Sequence, residues 1–106
     1  MRIFKSDVED CIAFLESTHE IKCDPRPLYP GEVWAAVGFL SADPDYLKNH
    51  EALRESATPI EEMTMEQLAT MFTYYKRGER VTDGLIASGV ENGTLLRLLR
   101  RLEALI

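Results

Sequence analysis

Eight consecutive residues concentrate charge between two apolar helical stretches: Arg77-Gly78-Glu79-Arg80-Val81-Thr82-Asp83-Gly84. Arg80 and Asp83 stand at i, i+3, and Glu79 can reach Arg77 or Arg80, or cap the helix that follows. Exposed pairs of this kind contribute only ~0–1 kcal/mol, so stability accounts for the run only if it is partly buried. Gly84 inside a helical pattern costs stability relative to alanine, and close packing against a neighbour would explain it. Two readings follow: a binding site formed by Arg77, Glu79, Arg80 and Asp83, or a buried salt bridge that fixes a turn. An enzyme site there requires a concave pocket containing the Arg80 side chain; a flush surface with Arg80 consumed by Asp83 or Glu79 would leave that alternative without motivation.

Other chemistry is poorly represented. Cys11, His19, Cys23 and His50 are the only thiol or imidazole ligands. A structural zinc needs four such ligands in paired short spacings, and those pairs are missing, so no metal site is expected. Cys11 is expected on a buried helix face and the histidines on the surface. Neither cysteine has a setting that would depress its pKa, and no glycine-framed serine marks a nucleophile elbow. Gly78, Gly84, Gly89 and Gly93 do not follow a strand, so no phosphate-cradling loop and no cofactor is indicated. Carboxylate pairs such as Glu61-Glu62 or Asp43/Asp45 are too common in an acidic chain to mark an acid–base site. An enzyme with a site around Arg77–Asp83 is thus a minor alternative.

A helix-turn-helix at 85–101 is the alternative that would bring DNA binding. Gly89 would be its turn glycine, Val90, Leu95 and Leu98 its core, and Asn92, Thr94 and Arg97 its outward face. Arg97 and Arg101 are the contact residues such a surface would use. Gly84 and Leu85 reverse the order of small and apolar residues that the motif requires, and Ser88 replaces the apolar residue before its glycine, so the motif is degenerate.

These residues must be positioned by helices. Ser6 and Glu9 form a capping-box pattern, and Val8, Cys11, Ile12 and Leu15 recur on one face of a helix over about 7–17. Thr18 to Tyr29 is a connector, with a short extended piece around Glu20–Cys23. Pro30 opens a second helix whose stripe is Val33, Trp34, Val37 and Leu40, with Trp34 expected to anchor the core. Asp43-Pro44-Asp45 predicts a cap and a helix over about 44–55, with Tyr46, Leu47, His50, Leu53 and Ala57 on its inner side and a loop over 58–63. Thr64 with Gln67 makes a capping box, with Met63 stapled against Leu68; Leu68, Met71, Phe72 and Tyr75 then form a core stripe up to Gly78. A shorter helix over 80–88 carries Val81, Leu85 and Ile86 and stops at Gly89. The last, over 92–105, sets Leu95, Leu98, Leu99, Leu102 and Leu105 opposite Arg97, Arg100 and Arg101.

No segment alternates as a strand would. Five or six short helices predict an all-α bundle, and 106 residues suit a single domain. The net charge of −6 is uneven: residues 1–66 carry six Lys/Arg against fourteen Asp/Glu, and residues 67–106 carry six against four. An acidic whole disfavours general nucleic-acid affinity. No apolar run approaches a membrane span and no signal-peptide core is present, so a cytoplasmic protein is expected.

The order Leu68…Arg77-Gly78-Glu79-Arg80-Val81-Thr82-Asp83-Gly84-Leu85-Ile86…Gly89…Leu95…Leu98-Leu99-Arg100-Arg101-Leu102 resembles the C-terminal half of the domain-of-unknown-function family numbered 6508. Tyr29-Pro30 leading into the Val33–Leu40 helix is similar to that family's earlier helix. The specific core is Arg-x-Glu-Arg-x-x-x-Gly, and Val81 stands where members commonly have an aromatic residue. The resemblance implies a small, mainly helical prokaryotic, archaeal or phage domain and brings no activity with it. The expected function is a protein-interaction or regulatory module, including an acidic inhibitor of a nucleic-acid-handling partner. The expected partner is a protein before a nucleic acid, with a homodimer left open.

Overall fold

In the computed structural model, which describes residues 3–18, 20–21 and 27–106, six α-helices surround one buried apolar cluster. They are α1 (Lys5–Ser17), α2 (Gly31–Gly38), α3 (Tyr46–Ser56), α4 (Met65–Gly78), α5 (Leu85–Glu91) and α6 (Thr94–Leu105), with a 3-10 turn at Ile60–Glu62. No β-strand occurs among the described residues. His19, Cys23 and part of the extended piece expected at Glu20–Cys23 lie outside them.

Helix α4 is the hub, packing against α2, α3, α5 and α6, while α1 closes the far side against α2 and α6. Its start follows the sequence closely. The Thr64 hydroxyl accepts from the Gln67 N–H at 3.2 Å, and the Gln67 side chain accepts from the Thr64 N–H at 2.9 Å. Both free amides are thereby satisfied at the helix start. Leu68, Phe72 and Tyr75 are buried, as are Leu95, Leu98, Leu99 and Leu102 of α6, so these two stripes form the centre of the core.

Several local expectations fail for identifiable reasons. Helix α1 begins at Lys5, because the Phe4 carbonyl already accepts from the Asp7 and Val8 amides; Ser6 sits inside the first turn and caps nothing. Helix α3 starts at Tyr46 rather than Pro44. Its inner face is Tyr46, His50 and Leu53 at i, i+4, i+7, which turns Leu47 to solvent, and Ala57 beyond its end is exposed as well. His50 is half-buried, stacked on Tyr74 with ring centroids 3.7 Å apart. Trp34 does not anchor the core: Val33, Ala36 and Val37 fill the buried face of the eight-residue α2, and the indole, one residue around from Val33, is 46% exposed. Helix α5 starts at Leu85, leaving Val81 in an exposed turn, and it runs through Gly89 to Glu91.

Gly89 is buried inside α5 because Tyr75 lies across it; a Cβ there would come within 2.7 Å of the ring. Gly84 has the opposite reason for being glycine. Nothing lies within 4 Å of the place a Cβ would take, but its φ of +93° is left-handed, a conformation that side chains disfavour. Close packing therefore does not explain Gly84.

Candidate functional site: a groove beside the Arg77–Gly84 turn

Helix α4 ends at Gly78 and the chain must reverse into α5 within six residues. The first amides of α5 have no capping side chain of their own, since its cap position is Gly84. Glu79 supplies the missing acceptors from the other side of the turn. Its Oε2 accepts from the Gly84 N–H and its Oε1 from the Ile86 N–H, both at 2.8 Å. The Tyr29 hydroxyl donates to Oε1 at 2.7 Å and accepts from the Ala87 N–H at 3.1 Å. Glu79 is itself buried. A carboxylate at the start of a helix also meets the positive end of its dipole, so charge and hydrogen bonding act together. The turn is fixed by a buried carboxylate on backbone amides, and no ion pair among the described residues contributes to it.

Above this clamp lies a groove of about 390 Å³ lined by Pro27, Tyr29, Trp34, Lys76, Arg80 and Asp83, with Glu79 beneath. One wall is aromatic: Tyr29 and Trp34 meet edge to face at 5.3 Å. The other carries charge from the end of α4 and the turn. Among the described residues the ion pairs are Arg97–Glu61 and Arg100–Glu16, so Lys76, Arg80 and Asp83 are unpaired there. Arg80 thus lies in a concavity and pairs with neither Asp83 nor Glu79, the condition on which the enzyme alternative depends. Leu28 and Val81, sequence neighbours of lining residues, are 69% and 85% exposed.

The remaining sequence-selected residues are dispersed. Arg77 leaves the groove for α3, lying 5.7 Å over the Tyr46 ring. Arg97 holds Glu61 through Nε and Nη2 at 2.8–2.9 Å, and Arg101 Nε donates to the Met63 carbonyl at 2.9 Å. These two staple α6 to the 3-10 turn and its C-terminal neighbour, and neither lines the groove. The groove brings together Glu79, Arg80 and Asp83 of the sequence-selected residues and adds Tyr29, Trp34 and Lys76, which are not among them. The signal available for Trp34 is that Val33, Ala36 and Val37 already satisfy a short helix's buried face.

A second concavity of about 610 Å³ separates α3 from the start of α4. Asp43 stands at its edge, accepting from the Asp45 N–H, the Asn49 amide and the Thr70 hydroxyl, while the Asp43 N–H donates to Thr73 Oγ1. The Thr70 and Asn49 hydrogen bonds hold the Asp43 carboxyl below its ordinary value. Its acceptor positions serve the α3–α4 junction. Cys11 is a buried free thiol whose S–H faces the Glu32 carbonyl at 3.4 Å. Burial, followed by the charges of Asp10, Asp7 and Glu32, pushes its pKa up to about 11 and keeps it unreactive. Among the described residues no three His, Cys, Asp or Glu side chains form a metal-binding group, and no helix is long and apolar enough to cross a membrane.

The fold and groove describe an all-α protein with a surface concavity beside the α4–α5 turn. The chain belongs to a family of unknown function (DUF6508), whose model matches residues 42–106. That segment contains the charged wall of the groove and the Glu79 clamp, while the Pro27–Trp34 wall precedes it. No curated protein and no solved structure matches the chain.

Proposed function

We propose that the protein is an interaction module that receives a segment of a protein partner in the Trp34 groove. One observation carries the reading: a half-exposed tryptophan shares a concavity with Lys76 and Arg80, which form no ion pair among the described residues, and Glu79 locks the turn beside it. Tryptophan and arginine are the residue types that most often dominate interface energies, and a rigid floor lowers the ordering cost of binding. Catalysis has less support, because the one buried carboxylate of the site already accepts from two amides and a phenol.

Affinity capture from native cell lysate tests the proposal. The wild type and Lys48→Glu, altered on the exposed side of α3, should retain the same partner, whereas Trp34→Ala and Arg80→Glu should lose it. Retention by both groove variants would refute the reading.

A second reading rests on Asp7, Glu9 and Asp10, exposed on α1 without ion pairs among the described residues. That acidic face suits a basic partner, as an inhibitor of a nucleic-acid-handling protein would need. A partner held there would be released by salt and would be indifferent to Trp34→Ala. The DNA-binding alternative draws less from the surface, since Arg97 and Arg101 are engaged within the fold.

A further inference from the structure

The groove also indicates what kind of segment it takes. Its aromatic wall offers the Trp34 ring, braced at right angles by Tyr29, and its other wall offers Lys76 and Arg80. Glu79 adds a negative charge beneath, but its oxygens face the amides of Gly84 and Ile86 and the Tyr29 hydroxyl rather than the opening. Among the described lining residues, Lys76 and Arg80 stand against Asp83 and a Glu79 whose oxygens already accept from two amides and a phenol. At about 390 Å³ the space is at the small end of ligand pockets, sized for a few side chains rather than for a docked helix.

We infer that the groove binds an acidic peptide segment in which a large apolar side chain adjoins carboxylates, the apolar group lying on Trp34 and the carboxylates on Lys76 and Arg80; this rests on the interaction reading above. A purely apolar segment would leave both cations without partners at a newly desolvated surface, which is unfavourable. A basic segment could use Asp83 alone and would meet repulsion from Lys76 and Arg80. Arg80 can hold a carboxylate through two parallel N–H donors, whereas Lys76 acts as a point charge, so Arg80 should set orientation. Asp83 opposes the ligand's charge at the rim and so limits affinity.

Trp34 is the only tryptophan in the chain, so its emission reports on this groove alone. The probes are two blocked tripeptides, acetyl-Glu-Phe-Glu-amide and its charge-reversed counterpart acetyl-Lys-Phe-Lys-amide, titrated against the full chain. The acidic probe should give a saturable change in emission that the basic probe does not. Arg80→Ala should weaken that binding about tenfold, the equivalent of one charge-assisted hydrogen bond. Asp83→Ala should tighten it by a few-fold. Both residues are exposed, and unchanged melting curves would verify that the variants fold.

Equal or stronger binding of the basic probe would overturn the inference, as would saturation by neither. An emission that shifts with protein concentration in the absence of peptide would also overturn it, assigning the groove to a second copy of the chain. If the acidic preference is absent while Trp34→Ala still abolishes partner capture, the interaction reading survives and only the occupant's chemistry is wrong.

Discussion

Glu79 joins the turn between α4 and α5 to the Tyr29 loop, fifty residues earlier in the chain. Glu79→Ala would leave two amides and a phenol without their acceptor. The expected loss is ~3 kcal/mol in urea unfolding, since unsatisfied buried donors cost ~1–3 kcal/mol each and partial relaxation recovers some of that. Tyr29→Phe should cost less, ~1 kcal/mol, and should leave the Glu79–amide bonds intact. A negligible effect of Glu79→Ala would show that the turn is held by packing instead. The sequence singles out this residue, and capping is among the roles it allows for Glu79. It does not reveal Tyr29 as the second member, because a contact across fifty residues leaves no spacing signal.

At the scale of elements, the long amphipathic helices are the most legible part of the chain. In α4 and α6 a repeated apolar period and, for α4, a capping box all favour one solution. Short α2 and α3 are less legible because eight or eleven residues contain too few turns to separate one stripe from its neighbour. Hence Trp34 and Leu47, expected inside, lie outside. The C-terminus of α3 makes the same point, with Ala57 in a left-handed conformation (φ 52°) where glycine would be favoured. Ala57→Gly should raise stability by ~0.5–1 kcal/mol in chemical denaturation, and a loss would indicate that Ala57 contributes packing.

The α3–α4 junction should also set the acid response of the fold. Burial, then the nearby Arg54 charge, lowers the His50 pKa from its ordinary 6.5, so folding favours the neutral ring. That contribution is complete above about pH 6.5 and is lost as pH falls through the lower folded value. Asp43 is lowered from 3.8, so its contribution is complete above that value and is lost as pH falls further. Melting temperature should therefore fall in two stages on acidification. His50→Phe should flatten the upper stage, and Asp43→Asn should reduce the lower, to which Glu61, held below its ordinary value by Arg97, also contributes. A wild-type profile that is flat from about pH 7 to 5 would contradict the His50 assignment.

For the whole molecule, charge and hydrogen bonding divide the surface into used and unused parts. Arg97, Arg100 and Arg101 on α6 look from sequence like a basic contact face. In the fold they meet Glu61, Glu16 and the Met63 carbonyl. Pattern alone could not separate these roles, because the partners come from elements far away in the chain. Conversely, Lys76 attracts no notice in sequence, yet it lines the same groove as Trp34 and forms no ion pair among the described residues. Half of the candidate site is therefore legible, namely the half contained in one continuous run. The aromatic half requires the tertiary placement of the Pro27–Trp34 segment against α4.

The most direct measurement of the central claim is site-specific photo-crosslinking in native lysate, with a benzophenone side chain at Val81, exposed in the turn next to Arg80, or at Glu51 on the exposed side of α3. The partner should be captured from position 81 and not from 51, and capture should disappear when Trp34→Ala is added. Equal capture from both positions, or capture at 81 that is indifferent to Trp34→Ala, would contradict the assignment of this groove as the binding face.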